Sequence, residues 1–252
     1  MLSAARIEQL NKLQNILNIK VTDVELLDVA LTHPSFNFEV NNDDAPDYER
    51  LEFLGDSVLR LVVSDYLYEK YKDYDEGKLS KIRSYLVSDE FLAKIAFSLG
   101  LDEFLNIGEH EQKDGGRKKE SINACAMEAI LGAIYKNNGF DYVKAFLLKI
   151  YGNQKINVNE ILFFYNSKEL LQQYTQAQNK DLPEYKVTSE TGKAHNKTYE
   201  VCAFYHGEVL GKGVAKTKKE AEKIAALNAL KKLKVVEGCA NEWFNYCPIN
   251  FI

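Results

Sequence analysis

The sequence predicts two domains of different class: an all-α domain over residues 1–151, and a small α+β domain of order α-β-β-β-α over residues 166–234. Three observations predict them. Through the first 150 residues apolar side chains recur three and four apart, the period of a helix with one buried face, and no stretch alternates as a strand would. From Glu184 onward the period changes to two, with β-branched and aromatic residues set between turn residues. Charge divides at the same place. Between residues 161 and 234 thirteen lysines stand against eight acidic residues, and only Glu237 and Glu242 are charged beyond; with −5 overall, residues 1–160 carry −8. An acidic part suited to cations is joined to a basic part suited to polyanions.

Composition excludes several classes. At 46% hydrophobic and 27% charged residues the chain has the make-up of an ordinary water-soluble protein. No apolar run approaches the roughly 18 residues that suggest a bilayer-crossing helix, so no membrane association is expected. Met1-Leu-Ser-Ala-Ala-Arg-Ile-Glu8 begins an amphipathic pattern rather than a secretory signal. Cys125, Cys202, Cys239 and Cys247 lack C-x-x-C spacing and are too few to staple a chain of this size, which suits a reducing cytoplasm.

In chain order, Ile7, Leu10, Leu13 and Leu17 mark a helix from Ser3 to Ile19. Val24, Leu26, Leu27 and Ala30 mark a second, stopping near His33-Pro34. Asn41–Asp47 is a polar loop, followed by a long helix to about Lys72 and a turn over Asp73–Gly77. Leu79, Ile82 and Leu86, then Phe91, Leu92, Ile95 and Leu99, mark two more helices, the second closed by Gly100. His110–Lys119 is a charged loop whose Gly115-Gly116-Arg117-Lys118 either meets phosphates or is merely solvated. Helices follow at Ser121–Lys136 and Asp141–Ile150. Residues 152–165 read as a linker, with the apolar cluster Ile161-Leu-Phe-Phe-Tyr165 docking on one domain or the other. Asn166–Lys180 is a helix with Leu170, Leu171, Tyr174 and Ala177 on one side. Strands follow at Glu184–Ser189, Thr198–Tyr205 and Val209–Ala215, the last two joined as a hairpin across His206-Gly207. Thr217-Lys-Lys-Glu220 is a capping box opening the final helix. Residues 235–252, with Trp243, Phe244 and Tyr246 among polar residues, form an extension with no assignable role.

The long helix carries Tyr48-Glu-Arg-Leu-Glu-Phe-Leu-Gly-Asp-Ser-Val-Leu59. Leu51, Leu54, Val58 and Leu61 form its expected buried stripe. Glu49, Glu52 and Asp56, three and four residues apart, stack on one face. Stacked carboxylates repel one another. Either this face is simply exposed and acidic, or a divalent cation relieves the repulsion, since carboxylate oxygens are what Mg²⁺ prefers. Gly55 inside the helix costs roughly 1 kcal/mol relative to alanine, which points to a neighbouring segment or a ligand close to the backbone.

The run Glu49-Arg-Leu-Glu-Phe-Leu-Gly-Asp-Ser57 resembles the signature of the ribonuclease III family of double-stranded-RNA endonucleases, and the resemblance extends over about residues 5–234. It implies an all-α nuclease domain of ribonuclease III fold followed by a double-stranded-RNA-binding domain. It further implies a homodimer that hydrolyses both strands of duplex RNA with Mg²⁺, or Mn²⁺ in its place. The products would carry 5′-phosphates and 3′-hydroxyls with short 3′ overhangs, from processing of ribosomal RNA and structured messages. Four acidic metal ligands per subunit are implied. Glu52 and Asp56 match the first two. Ser121–Tyr135 resembles the family's later acidic helix, where Glu128 matches the last ligand, so that Asp56 and Glu128 are the expected catalytic residues.

One position departs from the pattern. Where the family has Asp, this chain has Cys125, a soft ligand poorly suited to Mg²⁺. Asn123 points elsewhere on the helix. Mg²⁺ keeps several waters, so three carboxylates can suffice; the alternative is a duplex-RNA-binding protein with weak or no cleavage, and a third reading is a structural ribosomal component on the same fold. Glu49 is expected to support the site, paired with Arg50 or Lys81. Phe53 packs either into a partner subunit, as the family's equivalent aromatic does, or into the core. No Ser-His-Asp or Cys-His arrangement supports nucleophilic catalysis by Cys125.

In the second domain, Lys218-Lys219-Glu-Ala-Glu222 matches the strongest local motif of double-stranded-RNA-binding domains. Thr217, Lys218 and Lys219 open a helix, where backbone N–H groups and the macrodipole favour phosphate. The narrow A-form major groove hides its bases but offers its phosphates. Gln172 and Gln173 resemble the family's 2′-hydroxyl readers, the second usually being Glu. Gly192-Lys-Ala-His195 resembles its minor-groove loop, with Gly192 and His195 as the expected contacts. His33, His110 and His206 have no partner pattern.

Overall fold

A computed structural model describes residues 2–40, 42, 44–179, 181–192 and 197–235. The expectations placed on His195 and on residues 236–252 lie outside the described residues. The chain forms two compact units, Met1–Ile156 and Asn157–Ile252.

Among its described residues the regular structure of the first unit is helical apart from an isolated bridge between Thr32 and Asn106. Ser3 caps α1 (Ala4–Leu17) and Asp23 caps α2 (Val24–Val29) through side-chain oxygens. His33-Pro34, expected only to stop a helix, also starts one. In α3 (Pro34–Glu39) the proline takes the first turn, where its missing N–H is no loss, and the His33 ring accepts from the Ser35 N–H. The signature helix is α4 (Glu49–Lys70), followed by α5 (Glu76–Leu86) and α6 (Asp89–Ser98), capped by Asp75 and Ser88. The charged segment expected as a loop contains a short helix, α7 (Glu109–Lys113), and a 3₁₀ turn at Gly116–Lys118. Eleven of the nineteen residues of α8 (Glu120–Asn138) are buried, which makes it the central helix on which α4 and α6 pack. α9 (Phe140–Gly152) follows it.

The packing of α4 on α8 is set by glycine. A Cβ on Gly55 would stand 1.7 Å from the Glu128 carbonyl oxygen, and one on Gly132 would stand 2.3 Å from that of Leu51. The two backbones meet with no side chain between them. Leu51, Val58, Leu59, Val62, Val63 and Leu67 accompany Gly55 on the buried face. Leu61, expected in that stripe, is instead 57% exposed, because the face centred on Gly55 turns it to the far side, with Phe53.

In the second unit α10 (Val158–Asn179) begins eight residues earlier than the expected Asn166. Asn157 starts it, its side-chain oxygen accepting from Asn159 and Glu160 N–H groups. A run of five apolar residues carries no visible period, which is why residues 161–165 did not read as helix. Ile161 is buried, Phe163 packs on the second unit's core, and the Lys223 ammonium lies over the rings of Phe164 and Tyr165. The cluster belongs to the second unit. β1 (Glu184–Thr191), β2 (Thr198–Tyr205) and β3 (Glu208–Ala215) form an antiparallel sheet in that order. His206 and Gly207, at φ 50° and 81°, make the two-residue turn between β2 and β3. α11 (Lys218–Lys232) lies directly on β3: a Cβ on Gly211 would stand 2.3 Å from the Ala225 carbonyl, and one on Gly213 would stand 2.1 Å from that of Ala221. The same device of glycine against backbone therefore fixes the key helix in each unit.

Candidate active site

The crossing of α4 on α8 sets Glu52 and Asp56 against Cys125 and Glu128. Burial first, and then the charges of Asp56, Glu52 and Asp89, push the Glu128 carboxyl up to about 8, so that at neutral pH it holds its proton in the absence of a cation. Burial also raises Glu52, opposed by a hydrogen bond to Cys125. Asp56 accepts from the Arg60 Nε at 2.7 and 2.9 Å. Cys125 is half-buried, and burial together with its bond to Glu52 pushes the thiol up to about 12. It stays a thiol at neutral pH, neither a nucleophile nor an anionic ligand.

The three carboxylates are thus compensated separately, Glu52 by a thiol, Asp56 by a guanidinium and Glu128 by a proton. Among the described residues no three such side chains, as they stand, are gathered tightly enough to grip an ion. The fit to a hard divalent cation is one of donor chemistry: two positive charges among these oxygens would replace all three separate compensations. Asp89 was not anticipated from the sequence. It opens α6 directly after the cap Ser88, and its charge reaches Glu52, Cys125 and Glu128. The Ser88-Asp89 start signal was available, but only the fold brings α6 beside α8.

Of the other expected residues, Glu49 is exposed, with its backbone N–H donating to Asp47. Phe53 is 77% exposed, which removes the core alternative; Leu61 and Tyr68 (70% exposed) share its face of α4. In the charged segment Arg117 donates to the Asp102 carbonyl, Lys118 pairs with the buried Asp102 carboxylate, and Lys119 pairs with Glu111. These contacts hold the segment to its own unit.

In the second unit the Thr217 oxygen accepts from the Glu220 N–H at 3.2 Å, capping α11. Lys218 and Lys219 are exposed on its first turn, and the Lys218 ammonium lies 5.2 Å from the Tyr199 ring centre. Gln172 and Gln173 are exposed on α10, with Gln173 donating to Glu169 at 3.3 Å. Gly192 is exposed at φ 95°, where a side chain would be strained.

Comparison with known proteins assigns both units. Residues 23–155 match the Ribonuclease-III-like family model, and residues 167–233 match the double-stranded RNA binding motif. A Ribonuclease 3 of Listeria welshimeri is 40% identical over 225 residues, covering 89% of this chain and 98% of that protein. One of Treponema denticola is 39% identical over 232 residues, covering 92% and 94%. The solved nuclease domain of ribonuclease III from Campylobacter jejuni, described with a flexible region involved in dimer formation, superposes with a TM-score of 0.54. It is 43% identical and covers 57% of this chain and 98% of that domain.

Proposed function

Because the chain belongs to the ribonuclease III family of double-stranded-RNA endonucleases, we propose that it cuts duplex RNA at the α4–α8 crossing, with Glu52, Asp56 and Glu128 as the ligands of a divalent cation. The observation that carries this reading is Glu128, a carboxyl raised to about 8 by burial and by Asp56, Glu52 and Asp89. A group so perturbed beside other acids marks a functional site more often than a structural one. Mg²⁺ is the proposed ion and Mn²⁺ its substitute, being more tolerant of mixed ligands. Bound there, such an ion supplies a water of lowered pKa and neutralises charge on the scissile phosphate.

The chain's own groups do the rest. Gly55 and Gly132 hold the two acidic helices at fixed separation, and Arg60 orients Asp56. Thr217, Lys218 and Lys219 at the start of α11 hold phosphates, while Gln172 and Gln173 are placed to meet 2′-hydroxyls. Phe53, Leu61 and Tyr68 form an exposed apolar face on α4, which we assign to the contact with a second subunit. The products are 5′-phosphates and 3′-hydroxyls, and the substrates precursors of ribosomal RNA and structured messages. Duplex RNA incubated with the protein in Mg²⁺ tests this reading. Cleavage should be lost in Glu128→Gln while RNA affinity is kept; cleavage near the wild-type rate in that variant would displace the site.

A second reading rests on Cys125. A protonated thiol where the family has a carboxylate favours a duplex-RNA-binding protein with weak cleavage. Strong single-turnover cleavage in Mg²⁺ by the unaltered protein would exclude it.

A further inference from the structure

The end of the second unit away from the start of α11 carries a groove of about 740 Å³, lined by Leu182, Glu184, Lys186, Phe204, Tyr205 and His206. Leu182 is 56% exposed, and Val209, the cross-strand partner of Phe204, is 37% exposed. Around it Lys186 pairs with Glu184 at 2.7 Å, and the His206 ring stands 3.6 Å from the Asp181 carboxylate. The Lys186 ammonium also lies 5.2 Å from the Phe204 ring centre. Apolar surface framed by Asp181, Glu184 and a single lysine is a poor seat for a polyanion and a fair one for an aromatic peptide segment.

The course of the chain supplies the occupant. α11 ends on Lys234 in the left-handed conformation, φ 54°, and the Val235 N–H returns to the Leu230 carbonyl at 3.1 Å. This is a Schellman ending without its usual glycine. Lys232 donates to the Val209 carbonyl at 2.9 Å, so the last turn of α11 stands beside the row Glu184, Phe204 and Val209 that runs across the sheet. Residues 236–252 then follow, with Trp243, Phe244, Tyr246, Ile249, Phe251 and Ile252, and only Glu237 and Glu242 as charged side chains. A segment of seventeen residues reaches up to roughly 56 Å when extended. Crossing from β3 to β1 needs only about 10 Å.

We propose that the groove is the docking site of this chain's own C-terminal segment, residues 236–252. It lies away from the RNA-binding end. Lys218 sits over Tyr199 near the start of β2, and Phe204 is five residues further along, about 17 Å at strand rise. The docked segment therefore leaves Thr217, Lys218 and Lys219 open to phosphate.

Trp243 is the chain's one tryptophan, so its fluorescence reports on the segment alone. In the full-length protein its emission should be blue-shifted, and shielded from acrylamide relative to a synthetic peptide of residues 236–252. Leu182→Glu and Phe204→Glu should each bring quenching up to the peptide's value, with duplex-RNA affinity changed less than twofold. Leu182 is exposed, so its variant serves even where Phe204→Glu disturbs the sheet. Unshielded Trp243 in the wild type, or shielding that survives Leu182→Glu, would overturn the proposal. Shielding lost on dilution would also overturn it, by giving the groove to the segment of another copy.

Discussion

Glu128→Gln should stabilise the metal-free protein at neutral to alkaline pH. The carboxyl titrates at about 8 in the folded chain against 4.5 ordinarily, because burial and the charges of Asp56, Glu52 and Asp89 disfavour its anion. Between those values the folded state holds a proton that the unfolded state has released, so stability falls as pH rises through the window and is level below it. The difference between 4.5 and about 8 sets an upper bound of about 5 kcal/mol. The carboxyl is only part-buried, and screening by solvent brings the expected gain from glutamine to roughly 1–3 kcal/mol at pH 8 and none below pH 4.5. In a protein of this size that is a Tm difference on the order of 3–10 °C. Thermal and urea unfolding in EDTA at both pH values measure it. Mg²⁺ should then reverse the order, raising the Tm of the wild type and not of the variant. Stability curves of the two proteins that run parallel from pH 4.5 to 8 would refute the reasoning.

Other substitutions test other parts. Gly55→Ala places a Cβ 1.7 Å from a backbone oxygen, which can yield only if two helices part, so a loss of about 3 kcal/mol or more is expected in urea unfolding; a loss below about 1 kcal/mol would deny the close crossing. Lys218→Ala with Lys219→Ala should weaken duplex-RNA binding and lower its salt slope by about 1 for each lysine, and an unchanged slope would remove them from the phosphate contact. Cys125→Asp should lower the Mg²⁺ needed for single-turnover cleavage severalfold while making the metal-free protein less stable at pH 8; matching Mg²⁺ titrations would show that residue 125 has no part in holding the ion.

What was legible in the sequence was whatever local spacing determines. Spacing alone set Glu52 and Asp56 on one face of a helix, whereas Cys125 and Glu128 were singled out by the resemblance of Ser121–Tyr135 to the family's later acidic helix, and the fold brings the two pairs together. Gly55 betrayed a close neighbour because glycine inside a helix is unfavourable without one, and the neighbour proved to be Gly132 and the Glu128 carbonyl. Asp89 was beyond reach, since its part depends on α6 lying beside α8. So was the Arg60 contact with Asp56, which is one of several pairings an i,i+4 arginine has open to it. Leu61 was misassigned because two apolar faces of α4 overlap in a simple period, one buried against α8 and one exposed with Phe53. Residues 161–165 hid their part of α10 in an unbroken apolar run.

The acids of the first unit do not assemble themselves. Burial first, and then their mutual repulsion, raise Glu128, and both work against bringing α4 and α8 together. The opposing contribution comes from α8, with eleven buried residues, and from a glycine crossing that admits no side chain between the backbones. Burying one large aliphatic side chain is worth about 1.5–3 kcal/mol, so a few residues of that core outweigh the electrostatic cost. The acidic cluster is therefore positioned by groups outside it, so that one of its members can be exchanged without loss of the fold. Cys125 fits that logic. Neutral to about pH 12, it adds no charge to a place already holding Glu52, Asp56, Asp89 and Glu128. Its thiol instead bonds to Glu52 and opposes the rise that burial imposes there. Thiol for carboxylate exchanges affinity for a cation against stability in its absence, and the two move in opposite directions because both arise from the same negative charge.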